Sequence, residues 1–127
     1  MGEARLLRGK AAEKRGRRSE TVAALLLRVK FYRILGRRVR TPAGEIDLIA
    51  RSPGGTLCFI EVKARNNNLA ALESVGARQR SRIAQAARLW LAARPGLHSR
   101  PWRYDIITLT PNRLPQHVRD AWRDEGR

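Results

Sequence analysis

A chain of 127 residues with 43% hydrophobic content is long enough for one domain with a core beneath a sheet, and too apolar for global disorder. Its 27 basic against 11 acidic residues give a net charge of +16 and a pI near 11.7, a surplus that repels itself unless a polyanion neutralises it. Nucleic acid is the expected partner, ahead of an anionic membrane surface, and no apolar run is long enough to span a bilayer.

Residues 1–18 carry seven basic and two acidic side chains, as either a solvated tail or an arm lying along phosphates would. Residues 19–127 read as one folded domain. Leu6-Leu7 is too short for the core of a signal peptide. Ser19 is placed to cap a helix running from Glu20 to Lys30, with Val22, Leu25, Leu26 and Val29 as its apolar face and Glu20, Ala24 and Leu27 in line beside that face. A carboxylate at a helix start is favoured by the dipole alone, which gives Glu20 a structural explanation. Phe31 to Thr41 reads as a first strand interrupted at Gly36. Its arginines Arg33, Arg37, Arg38 and Arg40 suit it only if its outer face meets solvent or phosphate. Thr41-Pro42-Ala43-Gly44 then turns the chain.

The stretch Gly44 to Arg65 (GEIDLIARSPGGTLCFIEVKAR) reads as a hairpin. Ile46, Leu48 and Ala50 alternate with Glu45, Asp47 and Ile49; Cys58, Ile60, Val62 and Ala64 alternate with Phe59, Glu61, Lys63 and Arg65. Ser52-Pro53-Gly54-Gly55 supplies the loop. A register centred on Gly54 keeps one apolar face uniform, and sets Asp47 opposite Glu61, Glu45 opposite Lys63 and Ile49 opposite Phe59. Between Glu20 and Glu73 the chain has three acids, and this register gathers all of them on one face. Opposed like charges repel, so Lys63 or a divalent metal is needed to hold them there. Cys58, the lone cysteine, lies on the apolar face; it excludes a disulfide within the chain and points to a reducing, cytoplasmic compartment.

Asn66 to Ala71 reads as a polar loop, and Leu72 to Ala93 as a helix with Val75, Ile83, Ala86, Ala87, Trp90 and Leu91 in one stripe. Arg78, Arg80, Arg82 and Arg88 crowd elsewhere on it with no acid at i+4, which favours phosphate contact over a merely solvated face. Pro95-Gly96 ends the helix. Trp102 to Leu109 is a further strand in which Arg103 and Asp105 share a face as an ion pair. Pro115 can open a final short helix packing Val118, Ala121 and Trp122 inward. His98 and His117 show no metal-ligand spacing and read as surface residues; the three tryptophans read as core or surface anchors.

Asp47, thirteen residues and then Glu61-Val62-Lys63 resembles the PD-(D/E)xK nuclease signature. The wider GEIDLIA…FIEVKAR string is similar to the YraN-like family of small bacterial proteins, which is assigned the restriction-endonuclease-like fold and grouped with archaeal Holliday junction resolvases. The resemblance implies a mixed central sheet flanked by helices in the order α-β-β-β-α-β-α. It implies Glu20 near a metal, although Ser19 stands where the family has glycine, and it leads to a lysine where this chain has Gln79. The late strand matches at Asp105, which follows the aromatic Tyr104.

Three readings follow. In the first the protein is a nuclease using Mg²⁺ or Mn²⁺, held by Asp47, Glu61 and the main-chain carbonyl of Val62, with Glu20 as an outer or second-metal ligand and Lys63 orienting the attacking water. Its substrate would be DNA ahead of RNA, branched DNA included, gripped by Arg37, Arg38, Arg78, Arg80 and Arg82. A resolvase-like role would need two active sites, hence a homodimer. The second reading is a non-catalytic nucleic-acid binder on the same fold. The third is an interaction protein docking through its basic faces, on ribosomal RNA and protein for example.

Overall fold

The computed structural model describes residues 17–124. Helix α1 (residues 17–29) leads into β1 (Arg33–Thr41), β2 (Gly44–Arg51) and β3 (Leu57–Ala64). Helices α2 (Asn68–Glu73) and α3 (Ala77–Ala92) and a 3-10 turn (Pro95–Leu97) follow, then β4 (Trp102–Leu109) and β5 (Gln116–Trp122). The strands form one five-stranded sheet in sequence order, antiparallel except for the parallel β3–β4 pair. That parallel pair requires a crossover, which α2 and α3 provide. The result is a mixed α/β sheet between helices, as the restriction-endonuclease-like expectation required. Among the described residues no helix is long and apolar enough to cross a membrane.

Both faces of the sheet are buried. Ile49, Leu57, Phe59, Tyr104 and Ile106 pack with Ile83, Ala86, Ala87, Trp90 and Leu91 of α3, the helical stripe expected from sequence. Leu48, Ala50, Cys58, Ile60 and Ile107 pack with Ala23, Ala24 and Leu27 of α1. Ile46 joins the first of these clusters, not the second, so the alternation expected of Ile46, Leu48 and Ala50 breaks beside Asp47.

Several expectations need correction. Residues 17 and 18 are already helical, so Ser19 is not the N-cap, and the basic arm apart from those two residues lies outside the described residues. The buried face of α1 is Glu20, Ala23, Ala24 and Leu27, while Val22, Leu25 and Val29 are exposed and Leu26 is only half-buried. Two stripes of apolar residues fit the helical period here, and the one containing two alanines wins because small side chains let the backbone approach the sheet. Fully buried Leu27 contributes about 1.5–3 kcal/mol by its burial. The Asn66–Ala71 loop contains the start of α2, whose N-cap Asn67 accepts a hydrogen bond from the Ala70 N–H.

The final helix is a strand instead. Tyr104 pairs with Trp122 and Ile106 with Val118, so two positions on β4 span four on β5. The bulge, with Asp120 in a left-handed conformation (φ 51°), breaks the strand's alternation, so that neighbouring Ala121 and Trp122 both pack against one core cluster. That is why positions 118, 121 and 122 imitate one helical face in the sequence.

Candidate metal and nucleic-acid site

The site begins where β2 and β3 stop pairing. Their register runs from Arg51↔Leu57 through Ile49↔Phe59 to Leu48↔Ile60, as the centring on Gly54 predicted. Beyond Leu48 the Asp47 side chain supplies the acceptor: its Oδ2 takes the Val62 N–H at 2.8 Å. Asp47 is thereby fixed beside Glu61, whose side chain is only 6% exposed. Lys63 brings its Nζ to 3.8 Å from Glu61 Oε2.

The two flanking helices complete the group. The inner stripe of α1 carries Glu20, buried, to within reach of Asp47; Glu20, Asp47 and Glu45 offer oxygens that all lie within 4.8 Å of one another. From α3, Gln79 donates its amide hydrogen to Glu61 Oε2. The other oxygen, Oε1, is buried with no hydrogen-bond partner. Arg38 donates to Glu20, and Arg40 stands 3.5 Å from Glu45 on the neighbouring strand.

Sequence reasoning placed Asp47, Glu61, Lys63 and Glu20 together, and the structure brings all four to one end of the sheet. It gave Gln79 no role and set Glu45 against Lys63, whereas Lys63 reaches Glu61 and Glu45 sits with Glu20. The i, i+2 spacing of Glu45 and Asp47 was the signal for the latter. The contact that Val62 makes here is through its N–H. The oxygens of Glu20, Glu45 and Asp47, hard donors within 4.8 Å of one another, suit Mg²⁺ or Mn²⁺, with the buried Glu61 carboxyl beside Asp47.

Burial, reinforced by the Asp47 charge alongside, pushes the Glu61 carboxyl up to about 9, so it holds a proton at neutral pH. Burial also raises Glu20, with Arg38 pulling the other way. A folded-state pKa above the unfolded value means that the folded chain binds the proton more tightly. The stability this lends is complete below about 4.5 and is lost as pH rises through about 9. Without metal, Tm should therefore fall across that window, and Glu61→Gln should flatten the profile; thermal melts at several pH values will show either an altered slope or none.

The arginines divide. Arg78 and Arg82, one turn apart on α3, are exposed, as is Arg37, which donates to Thr21 Oγ1 at 3.1 Å. Gly44 (φ +154°) starts β2 against α3; a Cβ there would lie 3.5 Å from the Cβ of Arg82. Arg38 and Arg80, expected on phosphates, are engaged within the protein: Arg38 at Glu20, and Arg80 on the Val75 carbonyl (3.0 Å) and the face of Trp122 (6.0 Å).

A second buried carboxylate, Asp105, is built differently. It accepts from Arg103 (3.0 Å), His117 Nε2 (2.8 Å) and the Asp120 N–H (2.9 Å). Burial alone would raise it, but these donors hold it below its ordinary value. The expected Arg103–Asp105 pair is present. His117, read as a surface residue, has a side chain only 3% exposed, with Lys30 Nζ on its Nδ1 at 2.6 Å. Every Asp105 oxygen has a partner, so this centre is a structural clamp between α1, β4 and β5.

Comparison with known proteins places the chain. The model of the uncharacterised protein family UPF0102 matches residues 19–109. The chain belongs to this family. A UPF0102 protein of Maricaulis maris is 53% identical over 111 residues, 87% of each chain. That of Parvibaculum lavamentivorans is 46% identical over 115 residues, 91% of this chain and 86% of its own, and that of Caulobacter vibrioides is 49% identical over 115 residues, 91% of each. Among solved structures, an EndoMS complex with double-stranded DNA aligns with 19% identity and a TM-score of 0.34, covering 75% of this chain and 46% of that one. UPF0102 is the YraN-like family that the hairpin resembled.

Proposed function

We propose that this UPF0102 protein is a metal-dependent nucleic-acid phosphodiesterase acting on DNA, branched DNA included, in the cytoplasm. The observation that carries the reading is the Glu61 carboxyl group: buried and held between Asp47 and Lys63 at the end of the sheet where Glu20 and Glu45 also gather. A cation bound there would supply an activated water and neutralise charge building on the phosphate. Asp47, Glu61 and the Val62 carbonyl would hold it, with Glu20 on its outer side. Glu61 must release its proton to bind, and Asp47, anchored by the Val62 N–H, presents its remaining oxygen without needing to reorganise. Lys63 keeps a compact positive charge at the same carboxylate, where it orients the attacking water. Arg37, Arg78 and Arg82 would grip the phosphates on either side. Cutting both strands of a branch requires two copies of the site, so a homodimer belongs to that form of the proposal.

Cleavage assays with Mg²⁺ or Mn²⁺ on duplex, branched and single-stranded substrates test the reading, and purified protein that cuts none of them would sink it. A non-catalytic binder then takes its place, favoured by the occupation of two site carboxylates by Arg38 and Gln79. Both readings expect phosphate-dominated binding. With six or more phosphates neutralised, affinity should drop about a thousandfold between roughly 50 and 200 mM salt. Fluorescence anisotropy across that range measures it, and a flat profile would point to protein docking instead.

A further inference from the structure

The outer face of α1 carries an apolar stripe that the core does not use. Val22, Leu25 and Val29, at i, i+3 and i+7, are 39%, 54% and 75% exposed, and Phe31 just past the helix is 84% exposed. Exposure thus rises along one row of large apolar side chains toward the aromatic. Single apolar residues on a surface need no explanation, whereas a contiguous row with a polar rim marks a place where something docks. Phe31 supplies an independent observation. Its N–H donates to the Arg28 carbonyl at 3.0 Å, and the Tyr32 N–H donates to the Leu27 carbonyl at 2.9 Å, the paired bonds that close a helix through a left-handed residue. Phe31 is that residue, with φ 65°. Glycine adopts this conformation freely, while a bulky side chain is strained by it. Burial does not offset the strain, because the ring stands in solvent. A strained aromatic held outside the core points to a contact made by another molecule.

We propose that Val22, Leu25, Val29 and Phe31 form a docking surface for an acidic amphipathic helix of a partner protein, with Phe31 as the anchor. The charge around the stripe selects that occupant. Arg18 and Arg28 on α1 and Arg33 just past Phe31 are exposed, whereas Glu20, the one acid between residues 17 and 44, is buried on the opposite face. Opposite charges across an interface steer a partner and fix its register, and like charges exclude the wrong one. A second copy of this chain would set arginines against arginines. A lipid surface would suit the positive rim, but binding there scales with buried apolar area, and this stripe is a single residue wide. One helix packed alongside α1 covers such a row with its own ridge of side chains. The stripe faces away from Glu20 and the sheet, so its occupation leaves the carboxylates at the end of the sheet uncovered.

The probes are two synthetic amphipathic helices with the same leucine stripe, one flanked by glutamates and the other by lysines. Fluorescence anisotropy with the full chain should show the glutamate-flanked peptide binding about tenfold or more tighter. A chain of net charge +16 attracts any acidic peptide, so dependence on the uncharged Phe31 and Val29 decides the matter. Phe31→Gly should weaken the glutamate-flanked peptide by about tenfold or more, and should raise Tm by about 2 °C or more, because glycine relieves the left-handed strain. Val29→Gln, at a three-quarters-exposed position, should also lose peptide affinity while Tm stays within about 2 °C of wild type. Equal binding of the two peptides, binding of neither, affinity that neither substitution weakens, or a fall in Tm for Phe31→Gly overturns the proposal. A wild-type dimer in sedimentation equilibrium that Phe31→Gly dissolves would give the stripe to a second copy. Phe31-dependent binding to phosphatidylglycerol vesicles would give it to a membrane surface, and a parallel loss of affinity for single-stranded DNA would make Phe31 a base-stacking residue. Each of these three results also overturns the acidic helix.

Discussion

Asp47→Asn protein should bind nucleic acid as well as wild type or better, and cut it at least roughly a thousandfold more slowly, the kinetic equivalent of the several kcal/mol of charge stabilisation a bound ion supplies. The substitution is nearly isosteric, and its amide oxygen can still accept the Val62 N–H that anchors Asp47 at 2.8 Å. What it removes is a negative charge beside Glu61, so the metal-free protein should be no less stable. The same variant should lose its stabilisation by Mg²⁺ or Mn²⁺, which for wild type at a hundred times Kd amounts to about 2.7 kcal/mol. Glu61→Gln should behave in parallel. Lys63→Ala should separate the roles, keeping the metal-induced rise in Tm while losing most of the turnover. An Asp47→Asn protein whose melting still responds fully to metal would show that these carboxylates are not the ligands, whatever the activity assay returns.

Asp105→Ala should have the largest effect on stability and leave the metal response in place. Removing that carboxylate leaves Arg103, His117 and the Asp120 N–H without the acceptor they share inside the protein. Breaking a buried charged network from one side costs about 3–5 kcal/mol, on the order of 10–20 °C in Tm for a chain of this size. The clamp also ties Lys30, at the end of α1, to β5 through His117, so looser hydrogen-exchange protection should appear first at those two elements. A Tm within about 2 °C of wild type would mean that water replaces the lost carboxylate.

The hairpin was legible because its alternation and its loop fixed one register, and with it the meeting of Asp47 and Glu61. The α3 stripe was legible for the same reason: one period, one face. The sequence failed where two patterns fitted equally. In α1 the larger aliphatics Val22, Leu25 and Val29 outweighed Ala23 and Ala24 in any count of hydrophobicity, while close packing on the sheet favours the alanines. In β5 a bulge at Asp120 produced a helix-like spacing from a strand. Gln79 and His117 were missed because their partners, Glu61 and Asp105, are 18 and 12 residues away, beyond the reach of any local pattern.

An open sheet has two unpaired borders, and each offers a row of main-chain groups to any extended chain that drifts past. Here those borders are β1 and β5, and both are spoiled in the same manner. Each has a register shift, at Ile34/Gly36 on one side and across from Tyr104/Ile106 on the other. Each bends through a left-handed non-glycine residue, Arg38 and Asp120. Each turns arginine outward, Arg33, Arg37 and Arg40 along one and Arg119 along the other. Charge and kink together deny a second copy a flat ladder to extend. Discharging β1 by replacing Arg33, Arg37 and Arg40 with threonine would remove one of those two barriers, leaving the bulge and the kink alone to keep copies of the chain from pairing along that margin.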